Sequence, residues 1–494
     1  MISSQRSPAL SRRRLVGLGL GLAPALAIGH EVVMAPEATA APTIDLASRY
    51  GVLPGRNVTA AVNRAIAAHP GATLVLRPSA TPYLVDAVAS IKLATAGTRL
   101  VLTGATLKVI PNAATNYAAV LMTAPNTAVI GGQIIGDVRT HRGTTGEWGH
   151  GISIRDGARG ARVDNVRIAE CWGDGIYVNA PNQTGITINR VRCDYNRRQG
   201  ISIVASTGTR ITKSTMSNTG KIKVTAPGFG IDVEPNPGRG NVEGLVVEDC
   251  TMSGNLNGGV CLVQVANSTS RATFTRCTIT GNGRRGVLSV VGGRGPALWT
   301  VRDSVVERNG GVGVECRSAG LVLLRNRIGA NHAGGLNLLA PAAVTGGSVS
   351  GNTGTGLTAS AAAAGSVIHG VTFSRNSVSG VHTAGRLVMD GCVATANGQY
   401  GFALLEGSGG SVLTRCRAEM NSRTQAKSEF TVRSRSSLLY CTSYPKPSRT
   451  APSSTHSWYV TRAAAGMTFH QCVGQVGTKS HLYVEPGTKV NITR

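Results

Sequence analysis

The chain is poor in aromatic residues (4% of 494) and in charge (15%), and the charge is one-sided, with 24 Asp and Glu against 50 Lys and Arg. So few rings exclude a core built on aromatic packing, and the core must be aliphatic. Cysteine is sparse as well. Ten in so long a chain exclude a small disulfide scaffold, and no C-x-x-C or paired Cys/His spacing marks a zinc site. Against these shortages stand 41% hydrophobic residues, too many for a disordered polycation, and 64 glycines that follow no G-X-Y period and so exclude collagen.

The first 40 residues differ from the rest. Arg12-Arg13-Arg14-Leu15 leads into a weakly apolar, Gly-rich stretch from Gly17 to Gly29, and Ala38-Thr39-Ala40 offers an A-x-A cleavage site. This pattern resembles a twin-arginine export signal, too short and too broken by Gly and Pro24 to remain in a bilayer. Residues 1–40 are therefore expected to be a signal peptide. The protein is expected to be secreted, without a permanent membrane anchor and monomeric. Cleavage after Ala40 removes four Arg and two Glu, so a formal charge of +26 becomes +24.

From about residue 145 the chain repeats a unit of alternating apolar residues, a polar turn and a Gly-Ile or Gly-Val pair. Gly151, Gly175, Gly200, Gly230, Gly259, Gly286, Gly313, Gly335, Gly356, Gly380 and Gly401 recur at intervals of 21 to 30 residues. Units of this length with short strands and no helical period are turns of a β-solenoid. Asn255, Asn282, Asn309, Asn331, Asn352, Asn376, Asn397 and Asn421 recur at one turn, which predicts a stacked amide ladder with a spacing of about 4.8 Å. Cys250, Cys277, Cys392 and Cys416, with Cys171, Cys193, Cys441 and Cys472 near the same phase, read as small hydrophobes stacked in the core. Adjacent coils could bring two of them within disulfide range, but a chain folded before export is expected to keep mostly free thiols.

Ahead of the repeat, residues 57–69 place Val58, Val62, Ala65 and Ile66 on one helical face, with Asn57 or Thr59 as cap and Pro70-Gly71 as stop. Such a helix suits the exposed end of a solenoid, which needs a lid. Strands at Thr73 to Leu76, Leu100 to Leu102 and Ala128 to Ile130 are expected to open the first of roughly 13 to 15 coils, a stack on the order of 60–70 Å long. Residues 422–457, rich in Ser, Arg, Thr and Pro, break the period; they either wall a groove or form a loop without fixed structure.

The segment Thr59-Ala60-Ala61-Val62-Asn63-Arg64-Ala65-Ile66, followed by Gly71-Ala72-Thr73-Leu74-Val75-Leu76-Arg77-Pro78 and Tyr83, resembles the entry to the pectate-lyase-like superfamily. The resemblance implies an all-β, single-stranded right-handed parallel β-helix over residues 41–494 with an N-terminal capping α-helix. It leaves activity open, because that scaffold carries lyases, glycoside hydrolases, epimerases, esterases and non-catalytic binders.

Chemistry concentrates in residues 145–236. Aligning the Gly-Ile pairs puts His150, Asp174 and Gln199 in one column and Ser153, Tyr177, Ser202 and Asp232 in another, with Asp232 and Glu234 alternating with inward residues and pointing outward. Asp174, Asp232 and Glu234 are candidate carboxyls for hydrolysis. His150 and Arg198 would assist, and His150 or Tyr177 with Arg198 would serve elimination from a uronate. Trp148 and Trp172 offer sugar-sized faces, and Glu147, Arg197 and Gln199 are further candidate binding groups. The Gly-His-Gly run at 149–151 and Asp174-Gly175 resemble motifs of polygalacturonase-type hydrolases. However, His150 precedes the Asp coil, Gly173 replaces a second Asp, and no Arg-Ile-Lys follows.

The best-supported expectation is an extracellular enzyme cleaving a polysaccharide, as a glycoside hydrolase. The alternatives are a lyase or epimerase acting on uronates, or a non-catalytic glycan- or wall-binding protein. The positive charge favours an anionic polymer. No recognition module points to nucleic acid, no cofactor is implied, and no motif specifies Ca²⁺ or another metal. The lone His332, His369, His382, His456, His470 and His481 are expected at surfaces or turns, and Glu315 and Glu406 on a solvated face.

Overall fold

The computed structural model describes residues 41–493 apart from 238–239, 294, 296, 446–454 and 476–478. The expected signal peptide at 1–40 lies outside the described residues, as does part of the irregular stretch 422–457. From Thr43 onward, strands of mostly three to eight residues pair in parallel, each with the strand one coil further on. Three strand columns form three faces. The first includes Thr73–Val75, Arg99–Val101 and Ala128–Ile130. The second is a sixteen-stranded sheet from Tyr83–Val85 to Val473–Gly474. The third includes Asn116–Met122, Trp148–Ile154 and Ile176–Asn179. This is a parallel β-helix, as expected. Its coil number exceeds the expected 13 to 15, because the first coils lack the Gly-Ile marker and the last ones follow the irregular stretch. Sixteen strands at ~4.8 Å make a stack of about 70 Å.

The helix Thr59–Ala68 buries Val62, Ala65 and Ile66, and Asn57 Oδ1 accepts the Thr59 N–H at 3.1 Å. The opening strands fall on the expected segments, each within a residue of its bounds. Inside, Ile152, Ile176, Ile201 and Ile231 stack in register, and toward its far end the column passes through Phe402, Phe430 and Trp458, whose rings lie 5.0 and 4.4 Å apart, to Leu482. All ten cysteines are free thiols and nine are buried, so the column acts as apolar filling.

The asparagine ladder is continuous. Each Nδ2 from Asn255 to Asn397 donates to Oδ1 of the asparagine one coil on, at 2.8–3.0 Å, and each also donates to a backbone carbonyl. After Asn421 the acceptor is the buried carboxylate of Glu429. The register glycines follow from this closeness. A Cβ on Gly175 would stand 2.7 Å from both Asn196 Nδ2 and the Gly200 carbonyl, so the position is kept small by the next coil.

At several corners, arginines and aspartates of successive coils pair: Arg190 with Asp164, Arg276 with Asp249, Arg325 with Asp303 and Arg415 with Asp390. These corner arginines are thereby locally neutralised, while the net excess of basic residues remains. Glu315, expected on a solvated face, is instead 4% exposed and held by Arg285 and Arg317.

Candidate functional site

Strand register on the third face gives the outward column read from the sequence: Ser153 beside Tyr177, Tyr177 beside Ser202, Ser202 beside Asp232, and then Asp232 beside Cys261. Two residues further along the chain in each coil stand Arg155, Asn179, Val204 and Glu234, where the register shifts after Val178 so that Asn179 lies beside Ala205. Above them opens a pocket of about 370 Å³ lined by Asn116, Glu147, Trp148, Arg155, Tyr177, Asn179, Arg198, Val204, Glu234 and Asn236. Five of the expected site residues, Glu147, Trp148, Tyr177, Arg198 and Glu234, are therefore brought together. The side chains of Glu147 and Glu234 are 45% and 43% exposed.

Arg198 lies at the centre. Its Nε donates to Glu147 Oε2 at 2.9 Å, Nη1 lies 3.4 Å from Asp174 Oδ2 and 3.5 Å from Ser202 Oγ, and Nη2 is 3.8 Å from Glu234 Oε2. Burial acts against the guanidinium charge, but Asp174, Asp232, Glu147 and Glu234 outweigh it and hold its pKa above the ordinary arginine range.

Four expected site residues sit beneath the pocket. Asp174 and Asp232 are 0% and 1% exposed, and His150 and Gln199 are equally enclosed. Asp232 does point outward, but Gln199 covers it, donating from Nε2 to Oδ2 at 2.6 Å while its own Oε1 accepts the Phe229 N–H at 2.7 Å. Burial raises Asp174 to about 6, with Arg198 opposing. Burial and then the Glu234 charge raise Asp232 to about 8, again against Arg198. His150 is pushed well below its usual value by burial and by Arg155 and Arg198. Its Nδ1 accepts the Asp174 N–H at 3.3 Å, and its ring stacks on Tyr177 at 4.6 Å. The imidazole is thus neutral, and the 3.7 Å approach of Asp174 Oδ2 is no ion pair. The structure thus places all three beneath the pocket lining: Asp174 contacts Arg198, the His150 ring stacks on Tyr177, and Asp232 is held by Gln199.

The two tryptophans also separate. Trp148 is 48% exposed at the pocket rim, whereas Trp172 is 4% exposed, sandwiched between His141 at 4.0 Å and the Arg197 guanidinium at 3.7 Å. Arg197 donates to the carbonyls of Gly146 and Trp172, so it clamps the loop before Trp148 and does not line the pocket. Gly173 permits this crossing, since a Cβ there would lie 2.4 Å from the Glu147 carbonyl.

A buried cluster not anticipated from the sequence lies alongside. Asp137 accepts from the Tyr117 hydroxyl at 2.5 Å and from His141 Nδ1 at 2.9 Å. Burial and the Asp137 charge drive the Tyr117 phenol far above its ordinary range. This triad anchors the loop that carries Glu147. Its residues fall outside the repeat, so no column signalled them. The pocket residues Arg155, Asn179 and Val204 could have been found by extending the outward alternation one step. Among the described residues no group of three or more His, Cys, Asp or Glu could hold a metal ion.

The third face carries another pocket, of about 270 Å³, near the far end of the stack. Tyr400, Ala426, Lys427, Ser428, Thr431, Arg433, Thr455, His456, Tyr459 and Lys479 line it. The described part of the irregular stretch therefore walls a groove, one of its two expected outcomes. His456, expected at a surface or turn, is 7% exposed and donates or accepts at 2.7 Å with Ser480 Oγ.

Comparison with known proteins gives relatives of partial length. The chain is 35% identical over 153 residues to YclG of Bacillus subtilis (strain 168), an uncharacterized protein, across 28% of this chain and 26% of that one. It is 26% identical over 179 residues to the prophage-derived YorA of the same organism, across 32% and 30%. It thus matches only about a quarter to a third of these relatives' length. Among solved structures, the Dettilon tailspike protein is similar at a TM-score of 0.46 and 15% identity, over 74% of this chain and 66% of that one. The family described as the right-handed β-helix region matches residues 118–296 and 289–436, which together cover well over half of the chain. With the parallel stack, the amide ladder and the matched segments in agreement, the chain belongs to the right-handed β-helix family.

Proposed function

We propose that this protein is an exported carbohydrate-active enzyme that hydrolyses an acidic polysaccharide in the pocket formed within residues 116–236, with Glu147 and Glu234 as its carboxyl pair. One observation carries the reading: both carboxylates face one open pocket and both are tied to the guanidinium of Arg198. That arrangement is compatible with the roughly 5–9 Å separation that glycosidic chemistry uses. Hydrolysis needs one carboxyl protonated and the other ionised. A sugar carboxylate that takes Arg198 from one glutamate leaves that glutamate unpaired beside a new negative charge, which favours its acid form. Trp148 supplies a flat face for a ring, and Arg155 a further cation. Asp174 is a positioning residue that holds Arg198, and Asp232 acts on it through its charge. Elimination is less well served. Burial raises the Tyr177 phenol, so it stays protonated, and His150 is sealed beneath it. Export rests on Arg12-Arg13-Arg14 and the apolar segment that follows.

A second reading, glycan binding without cleavage, is favoured by the fact that both pocket carboxylates are already paired with Arg198. A panel of acidic and neutral polysaccharides, assayed for reducing ends and for the ultraviolet absorbance of unsaturated uronates, separates the outcomes. New reducing ends without unsaturated product are expected, and Glu147→Gln and Glu234→Gln should each lower the rate by about 10²–10⁴-fold. Unsaturated product would replace hydrolysis by elimination. Binding with no product from any member of the panel would leave the non-catalytic reading, and full rate in both variants would move the site elsewhere.

A further inference from the structure

The pocket at the far end of the third face has a composition opposite to the one already described. Lys427, Arg433 and Lys479 converge on it, with the hydroxyl-bearing Ser428, Thr431 and Thr455, His456 and the rings of Tyr400 and Tyr459. No carboxylate lines it. From Ser422 to Val484 the sequence holds eight Lys and Arg and a single acid, Glu429, whose carboxylate is engaged by the ladder at Asn421. Among the described residues Lys427, Arg433 and Lys479 form no ion pair, in contrast to the paired arginines at the corners of earlier coils. Lys427 Nζ instead stands 5.8 Å from the Tyr400 ring centroid. The cations are felt by their neighbours: after burial, Lys479 lowers His456 and Arg433 lowers His382. Like charges gathered without a counter-ion repel one another, and an anion entering the pocket relieves that repulsion. Beyond Arg433 and Tyr459 the groove continues into a cleft where Glu406 and Glu485 stand, with Glu485 accepting from the Tyr459 hydroxyl and the Arg462 N–H.

The two pockets share one line of residues. The outward column that runs through Ser202 and Asp232 continues by register through Cys261, Leu288, Glu315, Asn337, Thr358, His382 and Ala403 to Thr431, Tyr459 and Tyr483. Tyr459 and Tyr483 stack at 5.0 Å. Eight strand spacings separate Asp232 from Thr431, about 38 Å along a flat parallel sheet. We propose that the pocket of Lys427, Arg433, His456 and Lys479 is a second binding site that takes the carboxylate or sulfate groups of an acidic glycan laid along this face, at a distance from the pocket of Glu147 and Glu234. The choice of a glycan rests on the reading given for the first pocket; the choice of an anion rests on the cations alone.

The test is binding of four probes to the full chain: a galacturonate hexamer, a heparin-derived hexasaccharide, cellohexaose and a single-stranded dA decamer. Lys427→Glu/Lys479→Glu is compared with Arg56→Glu/Arg64→Glu, which makes the same change in net charge at exposed positions beside and on the capping helix. For each acidic sugar that binds, the affinity of the second of two sites, fitted apart from the site at Glu147 and Glu234, should fall at least tenfold in the first pair and less than twofold in the second, with cellohexaose bound by neither. Whether the hexuronate or the sulfated sugar binds more tightly identifies which anionic group the site takes. Equal loss in both pairs, no binding of either acidic sugar by wild type, or tighter binding of the DNA decamer would overturn the proposal. If the glutamate pair melts early, Lys427→Gln/Lys479→Gln replaces it with the same expectation in direction. Because binding and not cleavage is read, the outcome is independent of whether Glu147 and Glu234 hydrolyse anything.

Discussion

The pocket near Arg198 and the pocket near Lys427 are built on one sheet face, from the same outward strand positions, yet they treat charge in opposite ways. In the first, the central cation Arg198 is surrounded by Glu147, Asp174 and Glu234, with Asp232 close enough to strengthen its charge and Arg155 as a second cation in the lining. In the second, three cations have no carboxylate among them. The scaffold is neutral to this difference, because the inward side chains and the amide ladder fix the coils and leave the outward positions free to vary. What differs is coupling to the fold. Asp174 and Asp232 are enclosed, so the first pocket's electrostatics are part of the folded core, whereas Arg433 and Lys479 are exposed and theirs are not.

Three measurements press on that contrast. The largest effect is expected from removing the central cation. Arg198→Met leaves buried carboxyls without their partner and should destabilise the protein by about 3–5 kcal/mol, while Lys427→Met should stay within about 0.5 kcal/mol of wild type. Chemical denaturation measures both, and equal losses would refute the contrast. Next is pH. Folding raises Asp174 to about 6 and Asp232 to about 8, so between about pH 4 and those values the folded chain holds protons that the unfolded chain has released. These groups therefore make Tm fall as pH rises from about 4 to 8. Asp174→Asn should flatten the lower part of that decline and Asp232→Asn the upper part, whereas Lys427→Gln should leave it unchanged. A Tm that climbs through this window, or variants that change nothing, would show the carboxyls to be ionised in the folded state. The smallest effect is chromatographic. On a sulfonate column Lys427→Glu/Lys479→Glu should elute at lower salt than Arg56→Glu/Arg64→Glu, since a local patch holds the resin better than scattered charges of equal sum. Co-elution would mean that the far pocket contributes no more than its share of net charge.

The coil register was legible because it is written several times over. Ile152, Ile176, Ile201 and Ile231 recur in phase with the glycines, and from Asn255 to Asn421 an amide marks every coil, so pairing partners follow by counting. The outward column through Tyr177 and Asp232 came from the same count. Depth did not. An outward side chain at Asp232 is covered only because Gln199, one coil earlier, reaches over it, and Trp172 is removed from the pocket only because His141 and Arg197 close on its two faces. Those contacts join residues that share no period. The Tyr117, Asp137 and His141 cluster was hidden for the same reason, and the wall made by Ala426 to Ser428 was legible only as one of two outcomes, both lying in segments where the repeat is interrupted.

The asparagine ladder has a direction. Every amide from Asn255 to Asn397 gives one hydrogen to the next amide toward the C-terminal end, the other to a backbone carbonyl of an earlier coil, and receives on its oxygen from the N-terminal side, so the amide-to-amide bonds all run in one sense along the stack. Such a column cannot be closed by another amide without leaving a donor over, and Glu429, which accepts with both oxygens and need give nothing back, is the terminator that its polarity requires. A coil could thus be added or removed anywhere upstream without changing the chemistry of the ladder, but the carboxylate must move with its last rung.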